Sequence, residues 1–146
     1  MGDSTYRSNL FISLTDANNI LEKPAMLRDS TFKNSTGMIR YTLNYIAVFK
    51  DTTSKGRIFF TYEQYKTEPE AKSIFESIKT ENAKSAAVKD LTDTGDEAFL
   101  VKDTLNYPFV MIRKQNKVFK FKVYYLSDDK SLNELLKVAK RVVTAH

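Results

Sequence analysis

From Met38 to Phe49 the chain reads MIRYTLNYIAVF, and its side chains alternate with a period of two. Ile39, Tyr41, Leu43, Tyr45, Ala47 and Phe49 fall on one side of an extended chain, and Arg40, Thr42 and Asn44 on the other. Successive side chains of a strand point to opposite faces, so this segment must lie in a sheet with one packed face and one wet or partly covered face. "KDTTSKG" then reads as a turn, and "RIFFTYEQY" returns as a second strand, the hairpin partner of the first.

Helical periodicity appears elsewhere. "SLTDANNILEKPAM" predicts a short helix in which Thr15 or Asp16 accepts hydrogen bonds from first-turn amides and Ala17, Ile20 and Leu21 share a side. Pro24 stops it, because the residue before a proline avoids helical geometry, and the polar "KNSTG" reads as a loop. In "TEPEAKSIFESIK", Thr67 and Glu70 have capping-box spacing, Pro69 fits the first turn, and Ala71, Ile74, Phe75 and Ile78 form a stripe that packs on the sheet. "EAFLV", "YPFVMIR" and "VFKFKVYYL" are three further strands, the last two joined through "KQNK" as a hairpin. A last helix runs from Asp129 or Ser131 to Val143, with Ser131 and Glu134 at capping-box spacing and Leu132, Leu135, Leu136, Ala139, Val142 and Val143 on its apolar face. The expectation is an α+β fold of order αββαβββα, a largely antiparallel sheet of about five strands flanked by helices.

At 146 residues the chain suits one domain with a core that needs no staples. Residues 10–146 read as that domain, and residues 1–9, opening "MGDST", as a flexible lead segment with an artificial start. The net charge of +5 is spread evenly along the chain, so no polyanion partner is required. The longest apolar run, "YIAVF", falls far short of the roughly 20 residues that span a bilayer. There is no cysteine, hence no disulfide framework and no thiol chemistry, which suits the cytoplasm and equally a periplasm or cell surface.

Candidate chemistry centres first on "DLTDTGDEAF", Asp90 to Phe99. Set as a calcium loop, its twelfth position is Val101 where a bidentate Glu is needed, so an EF-hand is excluded. A magnesium site or a carboxylate-dependent hydrolase on Asp93, Asp96 and Glu97 stays open, against the simpler reading of Asp and Gly as turn formers. The one histidine, His146, is the last residue, where chain ends usually fray, so a Ser-His-Asp triad or a His-ligated metal lacks its parts. No Gly-rich phosphate loop is present, and no cofactor is implied. "RKQNKVFKFK" gathers Arg113, Lys114, Lys117, Lys120 and Lys122 without an acid, a candidate nucleic-acid or polyanion surface on Arg113, Lys117, Lys120 and Lys122. Phe119 and Phe121 alternate away from Lys120 and Lys122, which favours a charged outer strand face instead. Tyr62, Tyr65, Tyr107, Tyr124 and Tyr125 are candidates to line a ligand groove, since tyrosine joins an apolar body to a polar tip. "NST" at Asn34 matches a glycosylation acceptor.

"LTDANNILEKPAML", "VKDLTDTGDEAFLV" and "VMIRKQNKVFKFKV" with the closing helix together resemble a group of small secreted bacterial proteins and lipoproteins of PsbP-like fold. The likeness covers most of residues 10–143, and Glu22 stands where that group has a glycine. It implies an exported periplasmic or cell-surface domain, often lipid-anchored through a cysteine upstream, that acts as an accessory or binding module for a partner protein or small ligand without catalysis. It also implies that Gly95, Asp96, Glu97 and Ala98 form a structural turn, Gly95 taking a backbone conformation that side chains disfavour.

Overall fold

A computed structural model of the chain describes residues 11–48, 56–124 and 128–146. The readings of residues 1–9 as a lead segment, of Phe49 and Tyr125, and of most of the "KDTTSKG" turn lie outside the described residues. The elements run α1 (Leu14–Leu21), β1 (Ala25–Ser35), β2 (Met38–Ala47), β3 (Arg57–Tyr65), α2 (Glu68–Ala83), β4 (Val88–Asp90), β5 (Glu97–Lys102), β6 (Pro108–Lys114), β7 (Lys117–Tyr124) and α3 (Asp129–Thr144). Among the described residues they form one antiparallel sheet of order β1-β2-β3-β7-β6-β5-β4 with three helices. The α+β class and the antiparallel sheet stand as expected. The count and order do not: seven strands replace about five, and the order is αβββαββββα. The two added strands are the edges. β1 absorbs the "KN" and "S" of the supposed loop, leaving a two-residue turn at Thr36 and Gly37, where Gly37 has φ 85. β4 is three residues long.

The sheet separates two cores. On one face, Tyr41, Leu43 and Tyr45 of β2, Ile58, Phe60 and Tyr62 of β3, and Phe119, Phe121 and Val123 of β7 pack against Ala17, Ile20 and Leu21 of α1 and Leu135, Val138, Ala139, Val142 and Val143 of α3. On the other, Ala71 and Phe75 of α2 cover Phe99, Val101, Met111 and Val118. Side-chain parity along each strand assigns these faces, as the alternation in β2 requires.

Helix ends differ from expectation by a few residues. The first helix is capped by Ser13, not by Thr15 or Asp16: Ser13 Oγ accepts the Asp16 amide and Asp16 accepts the Ser13 amide, a reciprocal capping box. Glu22 closes that helix in the left-handed conformation, φ 55. Thr67 caps α2 as read, accepting from the Glu70 amide and donating to its carboxylate at 3.0 Å. Asp128 caps α3, and Ser131, read as a cap, lies buried in the first turn with its amide bonded to Asp128. His146 is not frayed. Its ring stacks on Phe11 at 4.5 Å and 12°, beside Tyr62 and Phe119, and its carbonyl accepts a bond from Lys117.

Asp16 does two jobs. Besides capping α1 it accepts two bonds from Arg141 of α3, one of them at 2.9 Å, so the first and last helices are tied over the core. Burial alone pushes the Asp16 carboxyl up, but the bonds from Arg141 and Ser13 outweigh it and hold the group below the ordinary carboxylate range. A depressed folded pKa contributes stability that is complete above the unfolded value and is lost as the pH falls through the folded one. Asp16→Ala should therefore cost about 2 kcal/mol in urea denaturation at neutral pH, with Arg141 regaining water. The gap between variant and parent should narrow steadily below about pH 4.

Candidate functional site on the open half of the sheet

α2 covers only one side of its face. α2 reaches β7 at Val118 and β3 at Tyr65, and across β1, β2, β3 and β7 the antiparallel registers order the side chains of that face in rows. Met26, Ile46, Arg57 and Tyr124 form one row; Asp29, Asn44, Phe59 and Lys122 the next; Thr31, Thr42, Thr61 and Lys120 a third; Lys33, Arg40 and Glu63 a fourth. This is the polar side of β2 that the period of two foretold.

Glu63 anchors the boundary with α2. Its carboxylate is 3% exposed and accepts from Arg40 at 2.8 Å, Lys120 at 3.0 Å and the Tyr65 hydroxyl at 2.8 Å. Burial would raise its pKa, yet the Lys120 ammonium and these three bonds hold it below the ordinary range. Burial and the adjacent carboxylate push Tyr65 well above a normal phenol, so it is a fixed donor. Lys120, one of the candidate polyanion contacts, is thereby engaged inside the protein.

At the other end of the face lies a cleft of about 520 Å³ lined by Ile46, Ala47, Gly56, Arg57, Leu105, Tyr107 and Tyr124. The loop over it is built by Asp103, whose Oδ1 accepts the amides of Leu105 and Tyr107, both at 2.9 Å, while its Oδ2 takes the Lys122 ammonium at 2.8 Å. Asn106 adopts φ 68 to complete the turn, a conformation that asparagine tolerates. Lys122 also donates to the Tyr107 carbonyl at 3.2 Å, so β7 holds the loop in place. Tyr107 meets Tyr124 edge-on at 6.1 Å, and the Arg57 guanidinium lies over the Tyr124 ring at 4.4 Å. Leu105, at the lip, is 68% exposed.

The acidic stretch forms a different structure. Asp93 and Gly95 take positive φ, 59 and 61, and Asp96 sends its amide to the Arg113 carbonyl at 2.7 Å while its carboxylate receives the Gln115 amide at 2.6 Å. Arg113 is 4% exposed and bonds Glu97 at 2.6 Å, Glu68 at 3.0 Å and Asp96 at 3.5 Å, together with the Gln115 carbonyl at 3.0 Å. Its pKa rises, because the bonds to Glu97 and Glu68 overcome the burial that would lower it. Gly95 sits where a Cβ would stand 2.6 Å from both the Arg113 carbonyl oxygen and Ile112 Cγ2. The turn is thus pressed against the β6 backbone, and Asp93 points elsewhere, lining a groove with Leu91, Val110, Ile112 and Leu136.

The candidate residues therefore part company. Tyr107, Tyr124 and Lys122 meet at the cleft. Tyr62 lies on the opposite face in the main core, Arg113 in the carboxylate network, and Lys117 beside His146. Arg57 and Leu105, which sequence reading passed over, complete the cleft. Arg57 pairs in register with Tyr124 across the β3–β7 seam, and this seam has no local signal in the chain. Among the described residues, no group of three or more His, Cys, Asp or Glu is placed to hold a metal ion, and no helix is long and apolar enough to cross a membrane. No protein-family model matches the chain, and no curated protein is similar to it.

The Gly95 geometry makes a quantitative demand. Gly95→Ala should destabilise by at least about 2 kcal/mol in urea denaturation, combining a left-handed side-chain penalty with a clash against backbone. Thr92→Ala, whose side chain is exposed on a backbone of ordinary φ, should stay within about 0.5 kcal/mol of the parent.

Proposed function

We propose that this chain is a non-catalytic binding domain whose ligand is a small organic anion with a flat apolar body, seated in the Tyr107–Tyr124 cleft. The carrying observation is the Arg57 guanidinium stacked on Tyr124 beside an apolar wall of Ile46, Ala47 and Leu105. A stacked guanidinium keeps its N–H edge directed outward, where it can grip a carboxylate or sulfonate in two-point fashion. Tyr124, Tyr107 and Leu105 then sandwich the ligand body, and the Asp103–Lys122 pair fixes the loop before the ligand arrives, which lowers the ordering cost of binding.

Two rival readings are less well supported. A carboxylate-dependent hydrolase needs a free base, whereas Asp96 and Glu97 already accept bonds from Arg113 and Asp96 also from the Gln115 amide. A polyanion surface on the β6–β7 hairpin needs unpaired cations, whereas Arg113, Lys120 and Lys122 each face an acid and Lys117 a backbone carbonyl. The proposed setting is an exported bacterial accessory domain of PsbP-like fold. It rests on the sequence likeness, and the left-handed Glu22 at the position where that group carries glycine agrees with it.

8-Anilinonaphthalene-1-sulfonate, a flat aromatic anion, is the probe. Fluorescence titration of the folded protein should saturate at one site. Tyr124→Ala should weaken it roughly tenfold and Arg57→Ala several-fold, a loss of about 1 kcal/mol or more in each case, while Tyr62→Phe leaves it unchanged. Saturation that is indifferent to Tyr124→Ala, or no saturable site, would overturn the proposal.

A further inference from the structure

On the α1–α3 side of the sheet, away from the Tyr107–Tyr124 cleft, a groove of about 410 Å³ lies between α3 and the turn that leads into β5. That volume is within the roughly 300–1,000 Å³ of small-ligand pockets. Its floor is Val110 and Ile112 of β6, both fully buried, and half-buried Leu91 and Leu136 make its walls apolar. Three exposed charges rim it: Asp93 from the turn, and Lys137 and Lys140 from α3. Among the described residues, none of these three takes part in an ion pair.

Both walls are held in place. The turn is pinned to β6 by the Asp96 amide on the Arg113 carbonyl and by the close fit of Gly95. Lys114 of β6 donates to the Val143 carbonyl of α3 at 3.3 Å, and Arg141 ties α3 to Asp16 of α1. Walls set in advance lower the ordering cost of binding.

The charges select the occupant. Lys137 and Lys140 stand three residues apart, side by side on the helix surface, where like charges repel unless an anion sits between them. Asp93 belongs to the opposite wall. An anionic amphiphile would answer the lysines and be repelled by Asp93, and a cationic one the reverse. A molecule with one charge of each sign answers both walls. We propose that the groove binds an apolar zwitterion, a free amino acid or short peptide with aliphatic side chains. Its carboxylate sits between Lys137 and Lys140, its ammonium on Asp93, and its side chains against Leu91 and Leu136. The lysine stems, apolar up to the ammonium, extend the apolar wall. This is a second site, independent of the aromatic cleft.

Two-dimensional amide NMR of the full chain, titrated with leucine and with leucyl-leucine, tests this. At least one should saturate with a Kd of about 0.1–1 mM, shifting the amides of residues 91–94 and 136–140, and the tighter one names the length. N-acetylation or C-terminal amidation of that ligand should each weaken it about three- to fivefold, the worth of one exposed ion pair. Asp93→Asn, which keeps a side chain that tolerates the left-handed backbone, should weaken the free-amine ligand by that factor and leave the N-acetyl form unchanged. Lys137→Gln with Lys140→Gln should weaken the free-carboxylate ligand and leave the amidated form unchanged. Tyr124→Ala should alter neither, which separates this groove from the cleft. No saturation up to about 10 mM, or an affinity indifferent to Asp93→Asn and to N-acetylation, would overturn the proposal.

Discussion

The pairing of β3 with β7 is the contact on which the molecule depends. Residues 57–64 run antiparallel to 117–124, although α2 and three strands lie between them in the chain. Each half is a meander that local turns could assemble: β1-β2-β3 on one side, β4-β5-β6-β7 on the other. Only the seam makes them one sheet. It sets Phe60 against Phe121 at 4.9 Å in the main core, Lys120 against Glu63 on the boundary, and Arg57 over Tyr124 at the cleft. Contacts so distant in sequence return energy only after the loop between them is closed.

The two faces of that seam meet different needs. One is sealed by α1 and α3, and the other is shared between α2 and solvent. Glu63 stands where packed and open regions meet. A buried carboxylate at that line would be costly alone, but two cations and a phenol surround it, so the polar surface begins with its charge already balanced. Arg113 does the same at the rim of α2 with the signs exchanged, one buried cation within reach of three partly exposed acids. Charges that look like binding groups in a linear reading thus serve as edges of the cores, and the surface that remains open mixes Thr31, Thr42, Phe59 and Tyr124 with charged side chains such as Asp29, Lys33 and Arg57.

What the sequence disclosed follows from how strongly each element declares itself. β2, β3, β6 and β7 alternate or run apolar because they are buried, and α2 and α3 carry stripes at helical spacing. β1 was read through because an edge strand with a single neighbour is polar along most of its length, and in composition "RDSTFKNS" is indistinguishable from a loop. β4 is too short to show a period and exists only through its pairing with β5. The Ser13 and Asp128 caps sit one turn before the apolar pattern begins, so anchoring the helices on that pattern moved their starts inward. Of the site, Tyr107 and Tyr124 were legible as tyrosines, which join an apolar body to a polar tip. Arg57 was not, since it joins them only through the seam. The burial of Arg113 escaped notice because its three acids come from residues 68, 96 and 97, and nothing local in "RKQNK" points to them.

The Asp16–Arg141 tie carries a consequence for how the domain is made. One lid of the main core is α3, at residues 129–144, and it is clasped to α1 at residues 14–21. During synthesis the chain emerges from its amino end, so α1 and the first meander must wait, with one apolar face bare, until almost the whole domain has left the ribosome. Compaction of this domain is therefore a late, all-at-once event, and its extended chain stays open to a holding chaperone until α3 has emerged.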